Sequence, residues 1–326
     1  MTKVAVLGAG AWGTAMSCVL AARLEVSLWA RDALQAATIT RTRRNERYLP
    51  GFELPSTVRV LADLSEATRG AGLLLAATPV AGLRALLAGS GAPAPLVWLC
   101  KGFEEGTGEL PHQIARAVLG AKARFGALSG PSFAEEVARG LPCALTLASE
   151  DADFARDAAA TLHGGRMRVY YSADLVGVEI GGAVKNVMAI AAGISDGMGL
   201  GLNARAALLT RGLAEITRLG AALGGQPETF MGLAGAGDLI LTATGDLSRN
   251  RRVGLELARG RPLKDIVATL GHVAEGVHSA REVAKLAAKH RVDMPVSQAV
   301  CAVLDARMTP AAAVERLLAR ESKMER

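Results

Sequence analysis

Lys185 is a single cation inside an apolar, glycine-rich helical segment, and this placement suits a proton donor. The segment extends from about residue 175 to 194 and contains Ala183-Val184-Lys185-Asn186-Val187. Burial of an unpaired ammonium group is costly, and it lowers the pKa of a lysine towards neutrality. The helix alone leaves a second interpretation open, in which the side chain extends to solvent from a surface helix.

Two further polar clusters lie in the second half of the chain. Gly235-Ala236-Gly237-Asp238-Leu239 places a carboxylate after a glycine-rich stretch, and Ser248-Arg249-Asn250 combines a hydroxyl, a guanidinium and an amide. The second cluster has the pattern of a helix start, where backbone amides and an arginine together favour a phosphate. Taken singly, Asp238 is compatible with a turn or cap residue, and Arg249 with a solvated arginine.

The N-terminal segment has the pattern of a dinucleotide-binding unit. A strand is predicted at 3–7 and a helix from about 14 to 23, with Gly8-Ala9-Gly10-Ala11-Trp12-Gly13 between them and a second strand at 26–29. In this context the glycines permit a tight turn, close approach of a pyrophosphate and close packing of the helix on the strand. The helix N-terminus then receives the phosphate charge.

The residues after the second strand bear on the choice of cofactor. NAD-specific folds usually place an acidic residue at this point to bind the ribose hydroxyls, whereas this chain has Arg31 followed by Asp32. Arg31 suits a 2′-phosphate, which favours NADPH. Asp32 keeps NADH open, and an ordinary surface role for Arg31 also remains open.

The elements that must position these residues follow an α/β pattern and then a helical one. Beyond residue 172 no strand pattern recurs, and segments such as 204–223 have helical spacing. Before it, apolar segments that alternate with helical stretches predict further strands at 58–61, 72–77, 96–100, 125–129, 144–148 and 167–171. We predict a Rossmann-type, mostly parallel sheet over residues 1–172, followed by an all-helical substrate-binding and catalytic domain over residues 173–326.

Two predicted strands are followed by polar residues at the edge where open α/β sheets bind ligands. Lys101 follows one of them and is therefore a site candidate. Gly130-Pro131-Ser132 follows another and leads into a short predicted helix. Ser132 with Glu135 is compatible with a plain capping box, or with a hydroxyl and amides beside the cofactor.

Composition excludes several classes of protein. The formal net charge is +6, but the basic residues are spread along the chain and are not interleaved with aromatic residues, which argues against a nucleic-acid partner and favours small anions. The four cysteines are scattered, and neither they nor the histidines have metal-ligand spacing, so we predict no metal and a reducing, cytoplasmic location. Glycines interrupt the N-terminal apolar run, and no membrane span is predicted.

Taken together, these motifs resemble one known family. The matching residues, in chain order, are 8–15, Tyr48-Leu49-Pro50-Gly51, Lys101-Gly102-Phe103, 130–134, Val178-Glu179, Lys185-Asn186-Val187, Thr210-Arg211-Gly212, 235–239, Asn250-Arg251 and Glu275-Gly276. The chain resembles the soluble NAD(P)-dependent glycerol-3-phosphate dehydrogenases over nearly its whole length, and in particular the bacterial enzymes that make sn-glycerol 3-phosphate for phospholipids. Ala11 stands where many members have Ser, and Thr78-Pro79-Val80 where many have Pro-Ser or Pro-Ala.

The resemblance implies hydride transfer between a nicotinamide cofactor, NADPH or NADH, and dihydroxyacetone phosphate, with Lys185 as the acid/base residue and Asn186 and Asp238 supporting it at an interdomain cleft. The implied substrate-binding residues are Lys101, Gly130, Ser132, Lys185, Asp238, Ser248, Arg249 and Asn250. The implied cofactor-binding residues are Gly8, Gly10, Ala11, Trp12, Gly13, Arg31, Lys101, Ala134, Arg249, Val273 and Glu275.

Two other functions remain open at this point. One is another two-domain β-hydroxyacid-type dehydrogenase, such as a 6-phosphogluconate or ketopantoate reductase relative. The other is a non-catalytic NADPH sensor whose helical domain binds a partner protein. The Ala- and Leu-rich helical domain also has enough apolar positions for a homodimer interface, although a thick monomeric core would use them equally well.

Overall fold

The computed structural model describes residues 3–91, 94–270 and 274–321. The chain divides into two units, residues 1–179 and 180–326. Within the described ranges, the first unit contains strands and helices, and the second contains helices only. The predicted fold class, a Rossmann-type sheet followed by an all-helical part, is therefore confirmed.

The elements are numbered in chain order. The strands are β1 Lys3–Leu7, β2 Glu25–Trp29, β3 Arg44–Asn45, β4 Leu49–Glu53, β5 Arg59–Leu61, β6 Leu73–Ala76, β7 Leu96–Trp98, β8 Phe125–Ser129, β9 Cys143–Ala148 and β10 Met167–Ser172. The helices of the first unit are α1 Ala11–Leu20, α2 Ala33–Thr42, α3 Leu64–Thr68, α4 Val80–Ser90, α5 Pro111–Leu119, α6 Ala134–Ala138 and α7 Ala152–Leu162. Helix α8, Leu175–Gly197, continues into the second unit.

The second unit is built from helices and one π-helical turn. Its elements after α8 are α9 Gly201–Ala222, α10 Pro227–Met231, the π-helical turn Leu233–Gly237, α11 Asp238–Thr244, α12 Arg249–Ala258, α13 Leu263–Leu270, α14 Glu275–His290, α15 Pro295–Leu304 and α16 Pro310–Leu318. A π-helical turn is rare and is frequently found at functional sites. This one leads directly into Asp238.

The main sheet has eight strands within the described residues, in the order β10–β9–β8–β7–β6–β1–β2–β5. Every neighbouring pair is parallel except β8 and β9. All eight strands were predicted from the apolar segments. The short hairpin of β3 and β4 was not, because its residues lack a clear alternating pattern.

The reversal between β8 and β9 has a simple cause. Only residues 130–142 separate these strands, and their single helix, α6, has five residues. Helix α6 packs against α1. Because the connection stays at one edge of the sheet, β9 must run back antiparallel to β8, whereas a parallel return needs a longer crossover.

Helix α8 is a core helix. All of its residues from Gly177 to Ser195 are buried, so it has no solvent-facing side over this length. Its length and composition would also suit a membrane span, but 94% of its apolar window is buried inside the protein. Lys185 lies in the middle of this stretch and is 6% exposed. The interpretation in which Lys185 reaches solvent from a surface helix is therefore wrong.

Candidate functional site

The first unit gathers its predicted site residues at one edge of the sheet. Strands β1, β2, β6, β7 and β8 run in the same direction, so their carboxyl ends lie at the same edge. Gly8, Arg31, Lys101 and Gly130 each follow one of these strands. This is the edge where open α/β sheets bind ligands.

The fingerprint glycines shape the turn between β1 and α1. Gly8 has a φ of +128°, and a Cβ there would lie 2.9 Å from the carbonyl oxygen of Ala77. A Cβ at Gly13 would lie 1.9 Å from the carbonyl oxygen of Gly8. A Cβ at Gly10 would have its nearest neighbour 4.0 Å away, so the space beside Gly10 is open to a ligand. The glycines thus fit the turn, approach and packing roles of a dinucleotide fingerprint.

The start of α1 offers backbone donors to an anion. Its N-cap, Gly10, has no capping side chain, and the first turn carries no acidic residue. The first amides of a helix have no intrahelical acceptor and attract negative charge. Ala11, Trp12 and Ala134 pack against a common small cluster, so three predicted cofactor residues from α1 and α6 lie together. Helix α1 begins at Ala11, earlier than the predicted residue 14.

Arg31 and Asp32 differ in what they contact. Asp32 is the N-cap of α2, and its Oδ1 accepts hydrogen bonds from the backbone N–H groups of Leu34 at 2.9 Å and Gln35 at 3.3 Å. Arg31 is exposed and makes no hydrogen bond or ion pair with the part of the chain that the structure describes. The carboxylate therefore has a structural role, while the guanidinium is available to a ligand.

Lys101 and Ser132 meet at one backbone carbonyl. The Nζ of Lys101 and the Oγ of Ser132 both donate to the carbonyl oxygen of Gly130, at 3.3 Å and 2.9 Å. Ser132 does not cap α6, whose N-cap is Phe133 without a side-chain cap bond. The capping-box interpretation of Ser132 is therefore wrong, because its hydroxyl bonds back to Gly130.

In the second unit, Lys185 is paired with polar groups of α11. Its Nζ donates to Oδ1 of Asp238 in a buried ion pair, and to Oγ1 of Thr242 at 2.7 Å. Asp238 and Thr242 are one helical turn apart and therefore share one face of α11. The carboxylate offsets the cost of burying the ammonium group. A charged lysine is thereby held in one position inside the protein core.

Missing side chains let the π-helical turn approach α8. A Cβ at Gly181 would lie 2.5 Å from the carbonyl oxygen of Ala234, and a Cβ at Gly235 would lie 2.1 Å from that of Phe230. A larger residue at Gly181 would push the turn away from α8, and one at Gly235 would overlap the backbone of Phe230 in α10 and distort the turn. The turn sets the start of α11, so these glycines bring Asp238 within reach of Lys185.

Asn186 contacts a different set of residues from its neighbour Lys185. Its Nδ2 donates to the carbonyl oxygen of Gly182 at 3.3 Å, and its Oδ1 accepts from Nδ2 of Asn250 at 2.9 Å. Oδ1 of Asn250 in turn accepts the backbone N–H of Gly276 at 3.0 Å. Asn186 and Asn250 thus connect α8, α12 and α14, whereas the predicted support of Lys185 comes from Asp238.

Helix α12 begins at the predicted cluster. Ser248 is its N-cap, and Oγ of Ser248 accepts the backbone N–H of Arg251 at 3.2 Å. Arg249 is the first residue of the helix; it is exposed and makes no ion pair with described residues. Arg251 instead forms ion pairs with Asp196 and Asp246. An exposed guanidinium beside first-turn amides is suited to a phosphate.

Two predicted cofactor residues lie near the start of α14. Glu275 is its first residue and is half-buried. Val273 falls outside the described residues. Among the residues that the structure does describe, no group of three or more His, Cys, Asp or Glu side chains is arranged to hold a metal, and the four cysteines are free thiols.

Thr242 was not predicted as a site residue, and no role was predicted for Glu179 or His112. Thr242 could have been found from its spacing to Asp238 on a predicted helix. The pair of Glu179 and His112 brings together residues far apart in the sequence, and no local pattern predicts it. Glu179 is buried and contacts His112 through both carboxylate oxygens.

Comparison with known proteins decides the family. Two family models match the chain. The model of the "NAD-dependent glycerol-3-phosphate dehydrogenase N-terminus" matches residues 3–155, and that of the "NAD-dependent glycerol-3-phosphate dehydrogenase C-terminus" matches residues 174–315. The chain belongs to the NAD-dependent glycerol-3-phosphate dehydrogenase family. One similar protein is the glycerol-3-phosphate dehydrogenase (NAD(P)+) of Methylibium petroleiphilum, which is 61% identical over 99% of this chain and 98% of that protein.

Two further relatives support the assignment over the full length. The glycerol-3-phosphate dehydrogenase (NAD(P)+) of Dechloromonas aromatica is 59% identical over 99% of each protein. The crystal structure of glycerol-3-phosphate dehydrogenase from Coxiella burnetii is 40% identical, covers 98% of this chain and 99% of that chain, and has a TM-score of 0.93. This member of the family is an NAD(P)-dependent dehydrogenase, which confirms the predicted class of activity and a nicotinamide cofactor.

Proposed function

We propose that the protein interconverts dihydroxyacetone phosphate and sn-glycerol 3-phosphate, with Lys185 as the acid/base residue. The buried ion pair of Lys185 with Asp238, joined by Thr242, carries this proposal. The bound nicotinamide cofactor supplies or accepts the hydride. In the reducing direction, negative charge develops on the carbonyl oxygen, and the ammonium group of Lys185 stabilises it and donates the proton. In the oxidising direction, the neutral amine takes that proton back.

The substrate phosphate is assigned to the start of α12. Arg249 is exposed beside the first-turn amides, and the next residue, Asn250, is buried. Ser248 positions this turn through its capping bond to Arg251. Asn250 also bonds Asn186, the neighbour of Lys185, so the phosphate site and the proton donor are held to the same helix.

The cofactor is assigned to the edge of the sheet in the first unit. Gly10 leaves room for the pyrophosphate, Gly8 and Gly13 shape the turn beside it, and Ala11 and Trp12 present the first amides of α1. The exposed guanidinium of Arg31 suits a 2′-phosphate, while Asp32 caps α2. We therefore propose a preference for NADPH over NADH. Ala134, Glu275 and Val273 complete the cofactor assignment by analogy with the family.

Lys101, Gly130 and Ser132 are assigned to the substrate, and Lys101 also to the cofactor. The three residues are joined by the shared carbonyl of Gly130. A lysine at the carboxyl end of β7 adds positive charge at the edge where ligands bind. We place the functional division between residues 1–172 for cofactor binding and 173–326 for substrate binding and catalysis, since β10 ends at Ser172.

The biological setting is proposed from the family. We place the enzyme in the cytoplasm, where its product would supply phospholipid synthesis. A homodimer is the proposed assembly, because Leu202, Met231 and Ile240 are large apolar side chains that remain exposed on the helical unit. Sedimentation velocity would test the homodimer, and a monomer at micromolar concentration would contradict it.

Initial rates on three substrates test the proposed reaction. With NADPH or NADH, we expect turnover of dihydroxyacetone phosphate and none of ketopantoate or 6-phosphogluconate. Arg249→Ala should raise the KM for the triose phosphate by about 10- to 100-fold, since a charge-assisted hydrogen bond to phosphate is lost. Arg252→Ala, an exposed arginine of the same helix, serves as the matched control and should leave this KM unchanged.

The other outcomes separate the rival functions. Turnover of ketopantoate or 6-phosphogluconate in place of the triose phosphate would identify another two-domain β-hydroxyacid-type dehydrogenase. Cofactor binding without hydride transfer to any of the three would identify a non-catalytic NADPH sensor.

A further inference from the structure

Glu179 lies at the N-terminus of α5. Its Oε1 accepts the backbone N–H of His112 at 3.0 Å, and its Oε2 is hydrogen-bonded to Nδ1 of the same residue. His112 is in the first turn of α5, and the N-cap of that helix, Leu110, has no polar side chain. A carboxylate at a helix N-terminus is favoured by the helix dipole. Glu179 of α8 therefore caps α5 across a long sequence separation.

The same carboxylate borders the site edge of the sheet. Glu179 and Val178 line a small cavity together with Cys100, Lys101, Gly102 and Ser129. Lys101 and Gly102 belong to the connection between β7 and α5, and Ser129 is the last residue of β8. The cap of α5 is therefore in direct contact with the cavity beside Lys101.

The pKa of the Glu179 carboxyl is raised above its ordinary value. Burial raises the pKa of its carboxyl, while the hydrogen bonds and charge of His112 lower it. The indole N–H of Trp98, which is buried without a hydrogen bond of standard geometry, also lowers this pKa. A buried carboxylate is tolerated only where such donors surround it. Loss of the Glu179 side chain would leave the backbone N–H of His112 without its acceptor.

The other side of the β7–α5 connection is held independently. Arg84 of α4 donates to Oε1 and Oε2 of Glu104 at 2.8 Å and 2.6 Å, and to Oε2 of Glu109 at 2.7 Å. These contacts are partly exposed and fix the far end of the connection. This surface contact and the buried cap formed by Glu179 thus both hold the segment that follows Lys101.

We propose that Glu179 and His112 are positioning residues for Lys101. By fixing the start of α5 and the wall of the cavity, they hold the β7–α5 connection so that the ammonium group of Lys101 reaches the carbonyl of Gly130. Neither residue touches the reacting atoms in this assignment. The inference rests on the proposed role of Lys101 in substrate binding.

A double-mutant cycle tests whether Glu179 acts through Lys101. Glu179→Gln keeps the size of the side chain but removes its charge, and it should raise the KM for dihydroxyacetone phosphate by about 10-fold through the displaced lysine. Lys101→Ala should raise this KM at least as much. In the Lys101→Ala background, Glu179→Gln should have no further effect on KM, because residues that act through one group are not additive.

Two results of this double-mutant cycle would overturn the inference. In one, Glu179→Gln multiplies the KM of the Lys101→Ala enzyme by the same factor as in the wild type. In the other, either single variant leaves the wild-type KM unchanged. The activity of the wild type is measured before any variant is made. If the wild type does not reduce dihydroxyacetone phosphate at all, the proposed function is wrong.

His112 provides a second route if Glu179→Gln does not fold. His112→Ala removes the ring and should reproduce the KM effect, while His112→Asn keeps a donor near the position of Nδ1 and should restore the KM towards wild type. Equal KM values for these two variants would contradict the inference.

Glu215→Gln is the matched control. Glu215 is another buried carboxylate at a helix start, where it accepts the backbone N–H groups of Val296 at 2.6 Å and Ser297 at 3.0 Å. Its replacement should lower thermal stability in the same way and leave the KM unchanged. A KM rise in this variant equal to that of Glu179→Gln would assign both effects to general loss of stability and overturn the inference.

Discussion

The cofactor edge of the first unit and the proton-donor cluster of the second are built from different chemical groups. The first consists of backbone: three glycines, the bare amides of α1 and carbonyl groups at strand ends. The second consists of charged and polar side chains, Lys185, Asp238 and Thr242, held inside a helical core. A backbone site should fail when a Cβ is added, and a side-chain site should fail when a charge is removed without a change of shape.

After replacement of Lys185 itself, the largest expected effect is that of Asp238→Asn on catalysis. The amide keeps the shape of the carboxylate but leaves the ammonium group of Lys185 buried without its counter-charge. We expect kcat to fall by about 10²- to 10³-fold, with the dissociation constant for NADPH unchanged. Steady-state kinetics and fluorescence titration measure the two quantities.

Asp246→Asn is the control for that change. Asp246 pairs with Arg251 in the same unit, but its side chain is 97% exposed, and exposed ion pairs contribute little. We expect its kcat to match the wild type. If Asp238→Asn also retained full kcat, the side-chain half of the comparison would be wrong.

Gly13→Ala and Gly10→Ala test the backbone half. A Cβ at Gly13 would overlap the carbonyl oxygen of Gly8, whereas a Cβ at Gly10 meets only open space. Gly13→Ala should lose NADPH binding by at least about 100-fold through distortion of the turn. Gly10→Ala should keep the melting temperature of the wild type and weaken NADPH binding by about 10-fold, since its methyl group enters the ligand space.

The two glycine variants must differ for this account to stand. Unfolding of Gly10→Ala, or full NADPH affinity in Gly13→Ala, would show that the turn does not bind the cofactor as assigned. Isothermal titration and differential scanning calorimetry distinguish these outcomes.

Arg31→Ala sharpens the cofactor assignment. Its guanidinium is the side chain assigned to the 2′-phosphate, so the KM for NADPH should rise about 10-fold while that for NADH stays constant. Arg41→Ala makes the same change of charge at another exposed position and should affect neither KM. Equal effects of Arg31→Ala on both cofactors would remove the argument for NADPH.

The smallest expected effect is that of Glu215→Gln, which replaces a buried carboxylate with no assigned part in the reaction. Burial raises the pKa of Glu215, although the hydrogen bonds from Val296 and Ser297 lower it. A raised pKa means that the folded state holds the proton more tightly than the unfolded state, whose value is about 4.3. Its contribution to stability is therefore present below that pH and is lost as pH rises through the folded pKa.

Glu215→Gln removes this titration. The free energy of unfolding of the wild type minus that of the variant should fall as pH rises from about 4.3, and urea unfolding over a pH series measures it. A difference that grows with pH would show that the pKa of Glu215 is lowered and not raised. The kcat near neutral pH should be that of the wild type, unlike the kcat of Asp238→Asn.

The contrast between the two halves also explains what the sequence could predict. The fingerprint at Gly8–Gly13 is local, because a turn and a helix start depend on neighbouring residues, so the strand, the turn and the edge of the sheet were all predicted. Pairings over long distances were harder. Asp238 was connected to Lys185 only through the resemblance to a family, and the cap of α5 by Glu179 was not predicted at all.

Other differences arose where two local explanations competed. Ser132 followed by Glu135 satisfies the pattern of a capping box, but the hydroxyl bonds to Gly130 instead. The antiparallel direction of β9 follows from the short connection of residues 130–142, whose single helix α6 packs on α1. The acceptor of Ser132 is only two residues away, so the choice was between two local partners, whereas the contact of α6 with α1 joins segments far apart in the sequence.

The most direct test of the central claim is Lys185→Ala, measured by single-turnover hydride transfer and by NADPH binding. We predict that hydride transfer to dihydroxyacetone phosphate falls by about 10³-fold or more while the dissociation constant for NADPH stays at the wild-type value. Lys285→Ala, at an exposed lysine of α14 that pairs with Glu282, should retain both. Transfer at the wild-type rate in Lys185→Ala would contradict the assignment of Lys185 as the proton donor.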